Sequence, residues 1–366
     1  MHILHVVGAR PNFMKAAPVL RALRSYPSVR QTLVHTGQHY DAAMSDVFFQ
    51  QLGMPQPECN LGVGSGTHAQ QTAAIMQAFE PVLCERKPDL VLVYGDVNST
   101  VAAALVCSKL GVKVGHVEAG LRSGDRTMPE EINRLLTDQL SDLLFTPSPD
   151  GDQNLAREGV DPSKIHRVGN VMIDSLLALL PRTEDCFPPD VESPYALVTL
   201  HRPSNVDDLP WLSSLLTTLS DLSTKLNVIF PVHPRTRQRL NEIGLRQTTD
   251  ARLRLLDPLP YLEFIALQRR AVVVITDSGG IQEETTFLGV PCLTVRENTE
   301  RPITISMGTN QLIGRDLAKL QSAVGKILAR ELNAKATAEP DTTKVPLWDG
   351  KAAGRMAQVI MDKSVR

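Results

Sequence analysis

Short apolar runs recur along the chain, each followed by a stretch with helical spacing. HILHVVG (2–8), TLVHTG (32–37), DLVLVYG (89–95), VKVGHV (112–117) and DLLFTP (142–147) read as strands. Runs such as LVLV, without alternating polar positions, suit strands covered on both faces. Helical patterns fall between them, from Pro11 and near 42–52, 70–86, 98–110 and 130–140. Pro at the first turn fits a helix whose first N–H groups lack partners in any case. Strands alternating with helices predict βαβ units and a parallel sheet.

The pattern breaks at PRTEDCFPPDVESP (181–194), a Pro-rich stretch that reads as a linker. It then restarts with strands at 195–201, 227–233, 252–258, 271–277 and 291–295 and helices at 208–225, 260–269, 279–288 and 314–331. A last helix, 350–364, follows the polar AEPDTT. Two doubly wound, Rossmann-like α/β domains are expected, 1–180 and 190–348, with 349–366 as a C-terminal helix. No period of about 20–50 residues is present that would signal a solenoid.

In doubly wound sheets, ligands bind beyond the carboxyl ends of the strands. The polar clusters fall there in both halves, which points to one interdomain cleft. GARPNFMK follows the first strand and offers Arg10 and Lys15 at a helix entry, a place that favours anions. The same two residues would also serve as plain surface charges beside a turn. DSGGIQEE places Ser278, Gly279 and Gly280 at another helix start, where absent Cβ atoms let a phosphate approach backbone N–H groups. Glu284 on that helix can accept two hydroxyls of a ribose, and Arg301 in ENTERP adds a phosphate fork. A glycine-rich turn with a capping Glu is the plainer alternative. GDVNST sets Asp96 directly after a buried strand, where an N-cap for the helix near Val97 is the plain reading. HVEAGLRSGDRTMPEEINR (116–134) brings Glu118, Asp125, Glu130, Glu131 and three arginines to another strand end. His201 ends a strand in HRPSN, where a lone histidine is more often structural.

Composition narrows the field. The 366 residues suit about two domains. A formal net charge of -2 argues against bulk nucleic-acid binding. Five cysteines without a CxxC pair indicate neither a disulfide framework nor zinc, and read as buried cytosolic thiols. No metal-ligand histidine spacing, Walker A or strand-borne GxGxxG occurs, so neither a metal nor a dinucleotide cofactor is expected. No apolar run is long enough for a membrane span, and the N-terminus lacks a signal-peptide pattern, so a cytoplasmic protein is expected.

GARPNFMK, TGQH, GDVNST, HVEAGLRS, PEEINR, HRPSN, PVHP, DSGGIQEE and ENTERP occur in this order along nearly the whole chain. Laid out so, the sequence resembles the non-hydrolysing UDP-N-acetylglucosamine 2-epimerases. The resemblance implies the GT-B fold with substrate in the interdomain cleft, a homodimer, and a last helix that packs back on the first domain. It assigns Arg10, Lys15, Phe264, Ser278, Gly279, Glu284 and Arg301 to the UDP. Asp96, Glu118, Glu130 and His201 match the positions given to catalysis, Glu130 being preferred to Glu131.

The resemblance also implies a chemistry. The C2 hydrogen lies beside an anomeric carbon rather than a carbonyl, so direct deprotonation is poor. Elimination of UDP gives a 2-acetamidoglucal, and re-addition on the other face inverts C2. Donors must then meet charge developing on the UDP, while acid/base groups serve both faces of C2. Which carboxylate serves which face stays open. Two departures stand out. Pro-Ser-Asn follows Arg202 where many relatives carry Arg-Glu-Asn. Tyr40-Asp41 and Gln70 occupy positions that help hold an effector in regulated members, while Gln38 and His39 remain. The expected activity is interconversion of UDP-GlcNAc and UDP-ManNAc. A 2-epimerase of a modified sugar such as a UDP-2,3-diacetamido-uronic acid is the alternative, followed by a hydrolysing epimerase and a GT-B glycosyltransferase.

Overall fold

The structure, a computed structural model, describes residues 1–38, 49–244, 252–334 and 345–364. Two compact units divide the chain. The first comprises Met1–Leu177 and Pro346–Arg366, the second Ala178–Val345.

Among the described residues, the first unit is built on a seven-stranded, all-parallel sheet in the order β3-β2-β1-β4-β5-β6-β7. Its strands are β1 (His2–Val7), β2 (Arg30–His35), β3 (Cys59–Asn60), β4 (Leu90–Tyr94), β5 (Lys113–Val117), β6 (Leu143–Thr146) and β7 (Ile165–Arg167). All five residues of β4 are buried, which is why its sequence shows no alternation. One face of this sheet packs Leu4, Val6, Val91 and Val93 against Phe79 and Leu83 of the helix His68–Arg86 and Ala103 and Cys107 of the helix Asn98–Leu110. The helix Ala352–Ser364 belongs to this unit and packs on the helix Arg10–Leu23. Asp174 fastens its start by accepting from Ala352 N (3.2 Å) and Ala353 N (2.8 Å).

The second unit repeats the plan, again among the described residues, with six parallel strands ordered β10-β9-β8-β11-β12-β13. They are β8 (Tyr195–Thr199), β9 (Asn227–Pro231), β10 (Leu253–Leu256), β11 (Val273–Thr276), β12 (Cys292–Thr294) and β13 (Asn310–Leu312). Alternate residues serve opposite layers: Ala196 and Val198 join one cluster, Tyr195 and Leu197 another. Fully parallel order across both sheets is the two-domain α/β pattern of GT-B enzymes.

Several elements differ from the sequence expectation. Strands β3, β7 and β13 span only two or three residues, too few for an apolar run to mark them. The helices Pro149–Arg157 and Pro234–Glu242 are charged enough to resemble loops. The expected linker is in part a 3₁₀ turn, Leu180–Cys186, tied to the second unit where Arg269 Nη1 donates to Thr183 Oγ1 at 2.8 Å. Of the cysteines expected to be buried, Cys107 and Cys292 are, but Cys84 is exposed and Cys59 and Cys186 are half-buried. The helix expected at 42–52 falls largely outside the described residues, as do His39, Tyr40, Asp41 and AEPDTT. Among the described residues no helix is long and apolar enough to cross a membrane.

Candidate functional site

In the first unit the polar residues beyond β1, β4 and β5 meet. Lys15, on the helix Arg10–Leu23, forms an ion pair with Glu118, and both side chains are buried. Arg10 is the first residue of that helix. Glu118 follows β5 with φ +74°, a left-handed conformation that costs a side-chain-bearing residue about 1–3 kcal/mol. Strain of this kind persists where surrounding contacts hold it. Here Glu118 N donates to Phe145 O on β6 at 3.1 Å. Gly95 makes room for the pair: a Cβ there would stand 2.6 Å from Lys15 Nζ and 3.2 Å from Glu118 Oε2. The left-handed φ of +64° at Gly95 likewise suits glycine.

Asp96, the next residue, does not cap the neighbouring helix as one alternative had it. The helix begins at Asn98 behind Val97, and no side chain caps it. Asp96 Oδ2 instead accepts from Arg134 Nη1 at 2.5 Å. Arg134 also reaches Glu131 Oε2 (2.6 Å). Glu131 in turn accepts from Ser123 N (3.0 Å) and Gly124 N (2.9 Å), so it fastens the loop that leads away from Glu118. Burial would raise the Glu131 carboxyl, but these N–H groups and Arg134 outweigh it and hold the carboxyl below its usual value. Glu130, one residue earlier, is half-buried and has no hydrogen bond or ion pair among the described residues. Glu131 is thus the hydrogen-bonded member of the pair, and Glu130 carries the freer carboxylate.

Sequence reasoning missed a buried chain behind these residues. His116 on β5 meets Asp138 Oδ1 through Nδ1 (2.6 Å) and Gly95 O through Nε2 (2.8 Å). Asp138 Oδ2 accepts from Gly120 N (3.1 Å) and lies 2.7 Å from Arg122 Nη1, whose fork also grips Glu158 at 2.7 and 2.8 Å. Burial would raise the Asp138 carboxyl, but His116 and Arg122 hold it below the usual carboxylate value. Asn12 was missed too. Its Oδ1 accepts from Gly8 N and Ala9 N (3.0 and 3.1 Å), and its Nδ2 donates to Tyr94 O (2.7 Å). Only the spacing GARPN hinted at it.

In the second unit, Asp277 is wholly buried after β11 and gathers donors from the end of β8. It accepts from His201 N (3.0 Å), Arg202 N (2.9 Å) and Asn205 Nδ2 (3.1 Å), and His201 Nδ1 stands 2.9 Å from it. Burial opposes its charge, yet His201 and these donors hold the carboxyl below its usual value. Asp277 therefore fixes the ring of His201, whose side chain is 39% exposed and available to a substrate. Ser278 is the N-cap of the helix Gly279–Leu288, and its hydroxyl makes no capping bond.

Around that helix start stand three arginines. Glu300 lies 2.5 Å from Arg301 Nη1, 2.8 Å from Arg296 Nη2 and 3.5 Å from Arg202 Nη2, and Arg301 also pairs with Glu283 at 3.0 Å. Burial opposes the Glu300 charge, but the arginines depress its carboxyl strongly. Arg296 Nη1 is a buried donor with no partner among the described residues. A Cβ at Gly279 would run into Arg301 and Glu300, so only glycine admits the arginine fork there. Glu284, one turn into the helix, is buried and accepts from Tyr261 Oη at 2.5 Å. Burial pushes its carboxyl up to about 7. Phe264 lies half-buried on the helix Tyr261–Arg270.

Two residues with an implied effector role have local partners. Gln38 Oε1 accepts from Ser99 N (3.0 Å) and Ser99 Oγ (2.7 Å). Gln70 closes a capping box with Thr67 at the start of the helix His68–Arg86.

Parallel α/β units with acids at one set of strand ends and an arginine-ringed helix start at another define a GT-B-class enzyme of nucleotide sugars. The chain belongs to the UDP-N-acetylglucosamine 2-epimerase family, whose sequence signature matches residues 21–361. It is 44% identical to a UDP-N-acetylglucosamine 2-epimerase of Methanococcus maripaludis over 88% of this chain and 90% of that one. It is 43% identical to the UDP-2,3-diacetamido-2,3-dideoxy-D-glucuronate 2-epimerase of Pseudomonas aeruginosa over 90% of this chain and 94% of that one. The crystal structure of the Methanocaldococcus jannaschii UDP-GlcNAc 2-epimerase in complex with UDP-GlcNAc and UDP superposes with a TM-score of 0.90 at 40% identity, covering 99% of this chain and 100% of that one.

Proposed function

We propose that the protein interconverts UDP-GlcNAc and UDP-ManNAc without hydrolysis. Arg10, Lys15, Phe264, Ser278, Gly279, Glu284 and Arg301 hold the nucleotide, and Asp96, Glu118, Glu130 and His201 carry the chemistry. A base takes the C2 proton, the C2–H electron pair becomes the C1=C2 bond of 2-acetamidoglucal, and the C1–O pair leaves with UDP. Re-addition reverses each transfer, with the proton delivered to the opposite face of C2. The helix start at Ser278 and Gly279 and the arginine fork offset charge that develops on the leaving UDP. Acids held in different surroundings, such as Glu118 on Lys15 and the freer Glu130, suit opposite proton-transfer roles. No cofactor is needed, because the leaving group itself accepts the electron pair.

The observation that carries this reading is the strained Glu118, held against Lys15 beside the Asp96–Arg134 pair. Turnover of UDP-GlcNAc in D2O tests it. Deuterium is expected at C2 of both product and recovered substrate, and an epimerised product without deuterium would exclude elimination.

The Pseudomonas relative favours a second reading, a 2-epimerase of a UDP-2,3-diacetamido-uronic acid. Parallel assays with both sugars separate the two, and release of free ManNAc in step with UDP would mark a hydrolysing enzyme. We further take the enzyme to be a cytoplasmic homodimer supplying polysaccharide synthesis. Ile132 and Leu136, exposed one turn apart on the helix Pro129–Leu140, support the dimer, which light scattering would test.

A further inference from the structure

Four segments bearing candidate catalytic carboxylates, or the loop between them, converge on one buried pair, His116 and Asp138. His116 lies two residues before Glu118 on β5 and contacts Gly95 O, the residue before Asp96. Asp138 sits on the helix Pro129–Leu140, which also carries Glu130 and the Arg134 that binds Asp96. Its other oxygen accepts from Gly120 N, two residues beyond Glu118. Both side chains are fully buried.

The hydrogen-bond chemistry of the pair is directional. Gly95 O is a carbonyl and can only accept. The Asp138 carboxylate is ionised between His116, Arg122 and Gly120 N, and it too can only accept. The two ring nitrogens of His116 thus bridge a backbone carbonyl and a buried carboxylate. Such charge-assisted bonds are short and strong, and they fix orientation as well as distance. Neither residue reaches the surface, and each spans between elements that bear acids.

We propose that His116 and Asp138 form a positioning pair that sets the spacing of Asp96, Glu118 and Glu130 for the two proton transfers at C2. The inference rests on the proposed elimination chemistry. Arg122, bound to Asp138 on one side and Glu158 on the other, steadies the pair from outside. The nucleotide groups of the second unit do not depend on it. Displacing one acid by about 1 Å costs roughly a hundredfold in rate, so a slack pair slows chemistry without loosening UDP. A glycal that waits longer for its second proton transfer also escapes more often.

The test uses the full-length enzyme and three variants, Asp138→Asn, His116→Gln and the milder Arg122→Lys. Each is measured for kcat, for UDP affinity as a competitive inhibitor, and for 2-acetamidoglucal released per epimer formed. Asp138→Asn and His116→Gln should lose about ten- to a hundredfold in kcat, with UDP affinity within threefold and a raised glycal-to-epimer ratio. Arg122→Lys should move kcat and the ratio the same way by less, and it serves if the inner variants do not fold. A smaller fraction of folded enzyme lowers glycal and epimer together and leaves their ratio unchanged. An unchanged ratio in all three, or wild-type kcat in folded Asp138→Asn, overturns the proposal. Wild-type enzyme inert toward both UDP-sugars overturns the functional reading, and the proposal with it.

Discussion

The strand-end clusters of the two units arrange their charges differently. In the first unit, Asp96, Glu118, Glu130, Glu131 and Asp138 outnumber the cations paired with them, Lys15, Arg122 and Arg134. In the second, Arg202, Arg296 and Arg301 crowd Glu300, with Glu283 as a further acid. A surplus of acids suits proton transfer, because acids with different partners can take different roles. Several arginines gathered around one acid suit a diphosphate, whose oxygens can accept from their forks. His201, held by Asp277, stands in the second unit as well. The same βαβ device thus presents mainly acids in one unit and an arginine cluster in the other.

Separating turnover from binding tests this contrast most severely. Glu118→Gln and His201→Asn should each lower kcat by about a thousandfold while UDP affinity, read by calorimetry, stays within a few-fold. An equal loss of both would make the two residues ground-state ligands and erase the contrast.

Gly279→Ala should do the reverse. Its methyl displaces Arg301 and Glu300, so UDP affinity should fall about ten- to a hundredfold, with the deuterium content of the product unchanged. Retained affinity would mean that the arginine fork is not the nucleotide site.

The pH dependence of stability sharpens the comparison further. Glu131, Asp138, Asp277 and Glu300 have folded values below the usual carboxylate value, so their stabilisation is present above that value and is lost as pH falls. Glu284 behaves oppositely. Its value is raised from 4.5 to about 7, so its stabilisation is complete below 4.5 and is lost as pH rises through about 7. Thermal unfolding of Glu284→Gln should therefore gain on wild type from about pH 5 to pH 8, by about 2–4 °C. A gap that does not change with pH would show that Glu284 ionises as freely as in the unfolded chain.

The smallest effect is expected away from both clusters. Thr67→Ala removes the capping box of the helix His68–Arg86, costing about 1 kcal/mol and about 2–4 °C, with kcat unchanged. A change in kcat would tie that helix to the proton chemistry.

Long buried strands and amphipathic helices were legible in the sequence because burial on two faces or one leaves a period that can be counted. So β4 and β11 stood out, whereas β3 and β13 are too short to carry a period. Residue types at strand ends, with the family resemblance, also singled out Asp96, Glu118 and His201 as candidates for catalysis and a further set as candidates for the nucleotide. Partnerships were not legible. Nothing local tells that Lys15 meets Glu118 across 103 positions, that His201 rests on Asp277 across 76, or that His116 joins Gly95 to Asp138. Those pairs arise because parallel crossovers bring the carboxyl ends of distant strands side by side. Glu130 and Glu131 show the same limit at close range. They are adjacent and identical in type, yet the helix turns one toward Ser123, Gly124 and Arg134 and leaves the other without a partner among the described residues. By itself the sequence determined where the strands run and which side chains stand at their ends. The tertiary structure decided which acids are neutralised and which remain able to move a proton, because the charge state of a buried group is set by its neighbours in space.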